Sequence, residues 1–235
     1  MTETPLAISF VDPAHDLHGT ARSGLTLLFE GRKATSHPEG PAITAEGGGW
    51  RAELPDTLTL TFAPVGPVAD LAGSRAHVCA VTGEVGNAAI SGMGVVTEIT
   101  APPRWDELDA LRSVQALFDR EHAVVALARR PQGAGGHGEE LVTAHLLADG
   151  ELLAVEDARL STTYDKDGRP RQAGLELWLP GEDFPRRAFG TVTAGASLVM
   201  DGLDVHAGVF SWRMEQREGA GLYELTVREP APAAA

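Results

Sequence analysis

Two histidines followed by glycine, His18-Gly19 and His137-Gly138, each stand ahead of a Leu-Leu-x-acid-Gly stretch at the same spacing. The stretches are Leu27-Leu28-Phe29-Glu30-Gly31 and Leu146-Leu147-Ala148-Asp149-Gly150, an offset of 146 − 27 = 119. Imidazole changes charge near neutral pH, so two histidines facing a shared cavity would serve as general acid or base. The plainer role is a His-Gly turn kept for backbone shape. Glu98 and Glu224 sit inside apolar strands, in Thr97-Glu98-Ile99-Thr100 and Tyr223-Glu224-Leu225-Thr226. A carboxyl group facing inward, away from water, holds its proton and can hand it to an alkene. Facing outward, it is an ordinary solvated strand residue. Alternation leaves both open, because each strand face carries an apolar neighbour. Trp105, Trp178, Trp212, Phe210 and Tyr223 supply ring faces that can line a pocket and stabilise a carbocation, or simply pack as core.

Other chemistries find less support. Asp12, His15, Asp16 and His18 bring N and O donors together, but Pro13 makes the segment a loop and no third ligand is fixed, so no metal is expected. The Gly-rich stretch from Gln132 to Gly138 lacks the Lys-Ser/Thr pair of a phosphate loop and runs into Glu139-Glu140. No Gly-x-Ser-x-Gly elbow or dinucleotide fingerprint is present, so neither a serine hydrolase nor a redox cofactor is expected; no cofactor is assigned. Asp165-Lys166-Asp167-Gly168 is a hairpin turn. Arg129-Arg130 and Arg186-Arg187 read as surface or ion-pair residues, with a ligand carboxylate as the alternative partner.

These residues need elements to hold them. Leu58-Thr59-Leu60-Thr61-Phe62 alternates cleanly as a strand, and residues 76–85 and 88–100 read as a hairpin turning at Gly86-Asn87. Asp106, Glu107 and Asp109 precede an apolar pattern through Leu108, Leu111, Val114, Leu117 and Phe118, which predicts a helix over 105–121. Strands follow near 140–148, 151–164, 171–179, 187–193, 197–200, 203–214 and 220–228. Gly92-Met93-Gly94 and Gly219-Ala220-Gly221 extend the repeat, with one residue inserted before the glutamates for a β-bulge to absorb. Leu58-Thr59-Leu60 with Pro64 is matched in the same way to Leu175-Glu176-Leu177 with Pro180. The expected organisation is a first β-rich repeat (1–100), a connecting helix (101–122), a second repeat (123–228) and a frayed Pro/Ala-rich tail (229–235). The fold class is all-β: two duplicated barrel or sandwich halves joined by one α-helix.

With 43% hydrophobic residues the chain can bury a real core. A net charge of −14 argues against nucleic acid and anionic membranes as partners. Cys79 is the single cysteine and reads as a core residue, not a nucleophile. No signal peptide and no long apolar run are seen, so a cytoplasmic protein without membrane insertion is expected.

Tyr164-Asp165-Lys166-Asp167-Gly168, Pro185-Arg186-Arg187 and Gly219-Ala220-Gly221-Leu222-Tyr223-Glu224 resemble segments of the lipocalin-like carotenoid hydratases (hydroxyneurosporene synthases) and their relatives. The resemblance spans residues 8–228. It implies two lipocalin-like halves and an apolar cavity for an isoprenoid, steroid or polyketide-like molecule. The expected function is binding of that molecule in the cavity, with acid/base hydration, isomerisation or cyclisation as its catalytic form. A non-catalytic hydrophobic-ligand carrier and a structural interaction module are the alternatives.

Overall fold

A computed structural model describes residues 4–228, the side chain of His137 excepted. The expected tail at 229–235 lies outside the described residues. The first sheet contains β1 (Leu6–Asp12), β2 (Leu17–Arg22), β3 (Leu25–Glu30), β4 (Lys33–His37), β5 (Ala42–Glu46), β6 (Gly49–Leu54), β7 (Leu58–Pro64), β8 (Ala69–Leu71), β9 (Ser74–Val85) and β10 (Ala88–Ile99). The second contains β11 (Leu108–Leu117), β12 (Ala123–Pro131), β13 (Leu141–Ala148), β14 (Glu151–Ala154), β15 (Asp157–Tyr164), β16 (Pro170–Trp178), β17 (Arg186–Met200), β18 (Leu203–Met214) and β19 (Arg217–Arg228).

The two sheets have one topology. The first runs β4-β3-β2-β1-β10-β9-β7-β6-β5, with β8 added beside β9, and the second runs β14-β13-β12-β11-β19-β18-β17-β16-β15. Each pairs its first strand with its last and curls into a half-barrel, so the chain is a duplication of one all-β unit. The hairpin at Gly86 and the turn at Gly168 form as expected, each glycine supplying a positive φ, 56° and 77°.

The expected helix over 105–121 is not formed; residues 108–117 are strand β11. Its inward residues alternate strictly: Leu108, Ala110, Arg112, Val114 and Ala116. Arg112 is the inward residue that breaks the apolar alternation. With it discounted, the remaining apolar residues fall at helical spacing. What makes this segment a strand is pairing on both sides, with β12 and β19. Tertiary hydrogen bonding overrides a local helical pattern of this kind.

Four packed clusters hold the molecule together. One fills the first half-barrel around Phe10, Leu60, Phe62 and Val81. Another fills the second around Leu175, Phe210, Trp212 and Tyr223. The remaining two lie where the sheets meet back to back. Leu25, Leu27 and Phe29 of β3 pack on Ala194, Ala207, Val209 and Leu222 of the second sheet. Leu147 of β13 packs in the cluster holding Ala69, Ala76, Val78 and Val95 of the first. The packing is thus reciprocal, as in an approximate twofold.

The register locates the true repeat. Gly94 lies opposite Phe10 on β1 and Gly221 falls at the same place beside β11, so Gly92-Met93-Gly94 and Gly219-Ala220-Gly221 are equivalent with no inserted residue. A Cβ at Gly92 or Gly94 would overlap the carbonyl oxygens of Val11 and Ser9; one at Gly219 or Gly221 would overlap those of Leu117 and Gln115. The motif recurs because the first and last strands of each half approach too closely for any side chain there. Aligned in this way, Glu224 matches Thr97, and Glu98 matches Leu225. β3 and β13 are equivalent strands, but the Leu-Leu-x-acid-Gly stretches are one residue out of register: Leu27 matches His145, and Gly31 matches Asp149, not Gly150. His18 does not match His137, since it lies in β2 while His137 opens a short 3-10 turn before β13. Nor does Leu58-Thr59-Leu60 match Leu175-Glu176-Leu177, because β7 corresponds to β17, not to β16.

Candidate functional site

Between the backs of the two sheets lies a partly open cavity of about 430 Å³. Its walls follow from strand register. On the second sheet, β12, β11, β19 and β18 present successive rows. These are Val125, Gln115 and Leu222; then Leu127, Ser113, Glu224 and Ala207; then Arg129, Leu111, Thr226 and Val205. On the first sheet the matching rows are Thr20, Ser9 and Val95, then Arg22, Ala7, Thr97 and Ala76. The linker Pro102–Trp105 and the β17–β18 end at Met200–Leu203 complete the lining.

Ser9 and Gln115 are equivalent residues of the two halves, and Ser9 Oγ donates to Gln115 Oε1 at 2.5 Å across the sheet contact. One row further along, Arg22 Nη1 donates to both oxygens of Glu224, at 2.7 and 2.8 Å. Both side chains are about three-quarters buried (25% and 21% exposed), so a largely desolvated charged pair stands in a wall of mainly apolar and neutral polar side chains. The twofold-related positions carry Leu127 and Thr97. Duplication thus supplied two matching sites, and sequence divergence left one of them charged. Chemically, the pair can hold a polar group of a bound molecule or exchange a proton with it, while the leucine, valine and tryptophan walls take up apolar surface.

The residues named from sequence, His137 aside, fall in five places. Glu224 and Trp105 line this cavity, Trp105 with its carbonyl accepting from Arg228 Nη1 at 2.5 Å. Tyr223 touches it from behind, its ring facing the second half-barrel. There its hydroxyl meets Thr162 Oγ1 at 2.9 Å and its ring stacks on Phe210, which stacks on Trp212. Burial pushes the Tyr223 phenol well above its ordinary value. Trp212 is fully buried in the same interior. Glu98 faces the interior of the first half-barrel, bound to Arg75 at 2.5 Å and to His77 at 3.3 Å. Burial lowers the His77 pKa, against the pull of Glu98. Trp178 lies under the Arg159 guanidinium, 4.9 Å from the ring centre. His18 is buried on the β2 face that also carries Thr20 and Arg22, and its pKa is lowered by burial, with Asp16 opposing. The side chain of His137 lies outside the described residues. Glu98 and Glu224 are therefore not brought together: they occupy opposite faces of equivalent strands.

Arg22, Ser9 and Gln115 escaped the sequence reading, whereas Arg129 was noted there as one of a surface or ion-pair couple. Ser9 and Gln115 become equivalent only through strand pairing, because the Gly-x-Gly offset of 221 − 94 = 127 would carry Ser9 to Gly136. Arg22 carried no signal, because its partner is 202 residues away. Among the described residues no group of three or more His, Cys, Asp or Glu side chains is placed to hold a metal, and no helix is long and apolar enough to cross a membrane. Asp12 instead accepts from Ser91 N at 3.0 Å and contacts His15 Nδ1 at 2.8 Å, a loop clasp.

No protein-family model matches the chain, and no curated relative matches it. Solved structures do. The crystal structure of CghA with Sch210972 is similar over 96% of this chain and 88% of that one, with a TM-score of 0.65 at 11% identity. Kievitone hydratase from Nectria haematococca is similar over 95% of this chain and 88% of that one, with a TM-score of 0.59 at 11% identity. An AttH-type protein from Nitrosomonas europaea reaches a TM-score of 0.54 at 12% identity, over 94% of this chain and 91% of that one. The chain therefore shares the two-half all-β fold of these proteins.

Proposed function

We propose that the protein binds an apolar small molecule of isoprenoid, steroid or polyketide-like character in the cavity between the two sheets. One observation carries the reading: a cavity of about 430 Å³, lined mainly by apolar side chains, with the largely buried Arg22–Glu224 ion pair in its wall. A site of this size suits a small ligand, and a few fixed polar groups in apolar walls give it orientation. The similarity of the fold to CghA and kievitone hydratase supports the same reading, since one is a hydratase and the other was crystallised with a small molecule.

In the catalytic form of this proposal Glu224 exchanges a proton with the ligand, and Arg22 sets its orientation and charge. The Glu224 carboxylate, paired with the Arg22 guanidinium, first takes a proton from the ligand or from an attacking water and then returns it to carbon, which serves hydration, isomerisation or cyclisation without a cofactor. Glu98, His18, Trp178, Trp212 and Phe210 have no part in this form, as none of them lines the cavity. The carrier form rests on a different observation: both Glu224 oxygens already accept from Arg22, which suits an anchor.

Native mass spectrometry of protein purified from cells, with extraction of any co-purified compound, tests the proposal. A near-stoichiometric apolar ligand is expected. A clean mass that added isoprenoids, fatty acids and steroids leave unchanged would refute it. With a ligand in hand, Glu224→Gln separates the two forms. Turnover falls while binding persists if Glu224 is catalytic, whereas a carrier shows no turnover in either protein.

A further inference from the structure

Three arginines line the cavity: Arg22, Arg104 and Arg129. Arg22 is held by Glu224, and Arg104 by Asp106 and Glu107 at 2.9 Å each. Arg129 is only partly exposed, and among the described residues it has no ion pair or hydrogen bond from its guanidinium. The other arginine pair noted in the sequence behaves differently: Arg186 is bound to Glu182 and Arg187 to Glu176. Glu224 does not serve Arg129. It lies two strands across, about 10 Å at ordinary strand spacing, and one row along.

Arg129 stands in the row of Leu111 and Thr226, at the end of the cavity reached by Trp105. The neighbouring rows on its own strand are Leu127 and Val125, so its charge borders an apolar wall. A guanidinium stays charged and presents a planar fork of donors that matches a carboxylate. Partly desolvated and unpaired, it gains most from an anion brought by a ligand.

Resting on the cavity reading above, we infer that the ligand is an amphipathic acid: an apolar body between the sheets and a carboxylate on Arg129. The Arg22–Glu224 pair then faces the body of the molecule, not its head. Arg129 sets specificity for the acid over the neutral analogue.

Calorimetric titration of the full chain at pH 8 with dodecanoic acid and dodecan-1-ol, and with farnesoic acid and farnesol, tests this. Each acid is expected to bind about tenfold tighter than its alcohol, the scale of one partly buried charge pair. Arg129→Gln removes that preference and leaves alcohol binding unchanged; Arg129→Lys keeps part of it. Arg130→Gln makes the same charge change one residue on, on the face shared with Ala128, and keeps the preference whole. Equal affinity of acid and alcohol in the unmodified protein overturns the inference and leaves the cavity reading standing. So does a preference that survives Arg129→Gln. Failure of all four probes to bind overturns the cavity reading and the inference with it.

Discussion

Arg112→Met removes the one charge that β11 sends into the second half-barrel, and the cost can be worked from its surroundings. The guanidinium is 1% exposed and pairs with Glu140, whose side chain is equally buried. It also donates to Thr162 Oγ1 at 2.9 Å, to the Leu160 carbonyl at 3.1 Å and to the Tyr223 hydroxyl at 3.3 Å. Methionine restores the volume and none of the bonds, and it leaves Glu140 buried without its guanidinium. Breaking a buried pair from one side costs about 3–5 kcal/mol. At about 2–4 °C per kcal/mol for a chain of this size, the melting midpoint falls by about 6–20 °C. The double variant Arg112→Met/Glu140→Leu removes both charges and regains most of the loss, because an apolar pair avoids the desolvation that an ion pair incurs. Urea denaturation followed by tryptophan fluorescence reads both variants, with Trp212 reporting from the same interior. A loss under about 1 kcal/mol in the single variant, or a double variant no more stable than the single, refutes the argument. Ligand affinity of the double variant should match the unmodified protein, since Arg112 faces away from the cavity.

Gly94→Ala and Gly221→Ala each force a Cβ into a backbone carbonyl of the neighbouring strand, and are expected to cost about 1–3 kcal/mol or more. Gly136→Ala, where nothing lies within 4 Å, is the control, and equal melting midpoints for all three would show the close approach to be unimportant. His18 and His77 both have pKa values held below 6.5 by burial, so the unfolded chain binds more protons than the folded one just below that pH. Stability is therefore full above about pH 6.5 and is lost as the pH falls through the folded-state values. Thermal melts at pH 7.5 and 5.5 should differ by less in His18→Phe; an unchanged difference would remove His18 from the explanation. Burial pushes the Cys79 thiol up to about 12, so Ellman's reagent at pH 8 should label it only in urea, and rapid labelling of the folded protein would contradict its placement.

How much of this was legible depended on how local each signal was. The strand β7 and the hairpin β9–β10 could be read because alternation and a Gly-Asn turn are written within a dozen residues. Duplication was legible through Gly-x-Gly, since that motif answers to contact within one half. The His-Gly coincidence misled because nothing in a sequence separates a chance match at fixed offset from a structural one. The helix expected at 105–121 failed at Arg112, an inward charge whose partners Thr162 and Glu140 lie elsewhere in the chain.

By itself, the sequence determined an all-β chain, its two matched halves, a buried Cys79 and the turns that end its hairpins. All of these follow from period-2 burial and glycine backbone freedom, which act over a few residues. Only the tertiary structure decided which glutamate meets a cavity. Glu98 and Glu224 differ by one step of strand register, and a single step exchanges the interior of a half-barrel for the contact between sheets. The same step set Glu224 against Arg22 of the first half, and the packing of the sheets brought Ser9 to Gln115. Those pairings join residues of the two halves, and no spacing within either half encodes them.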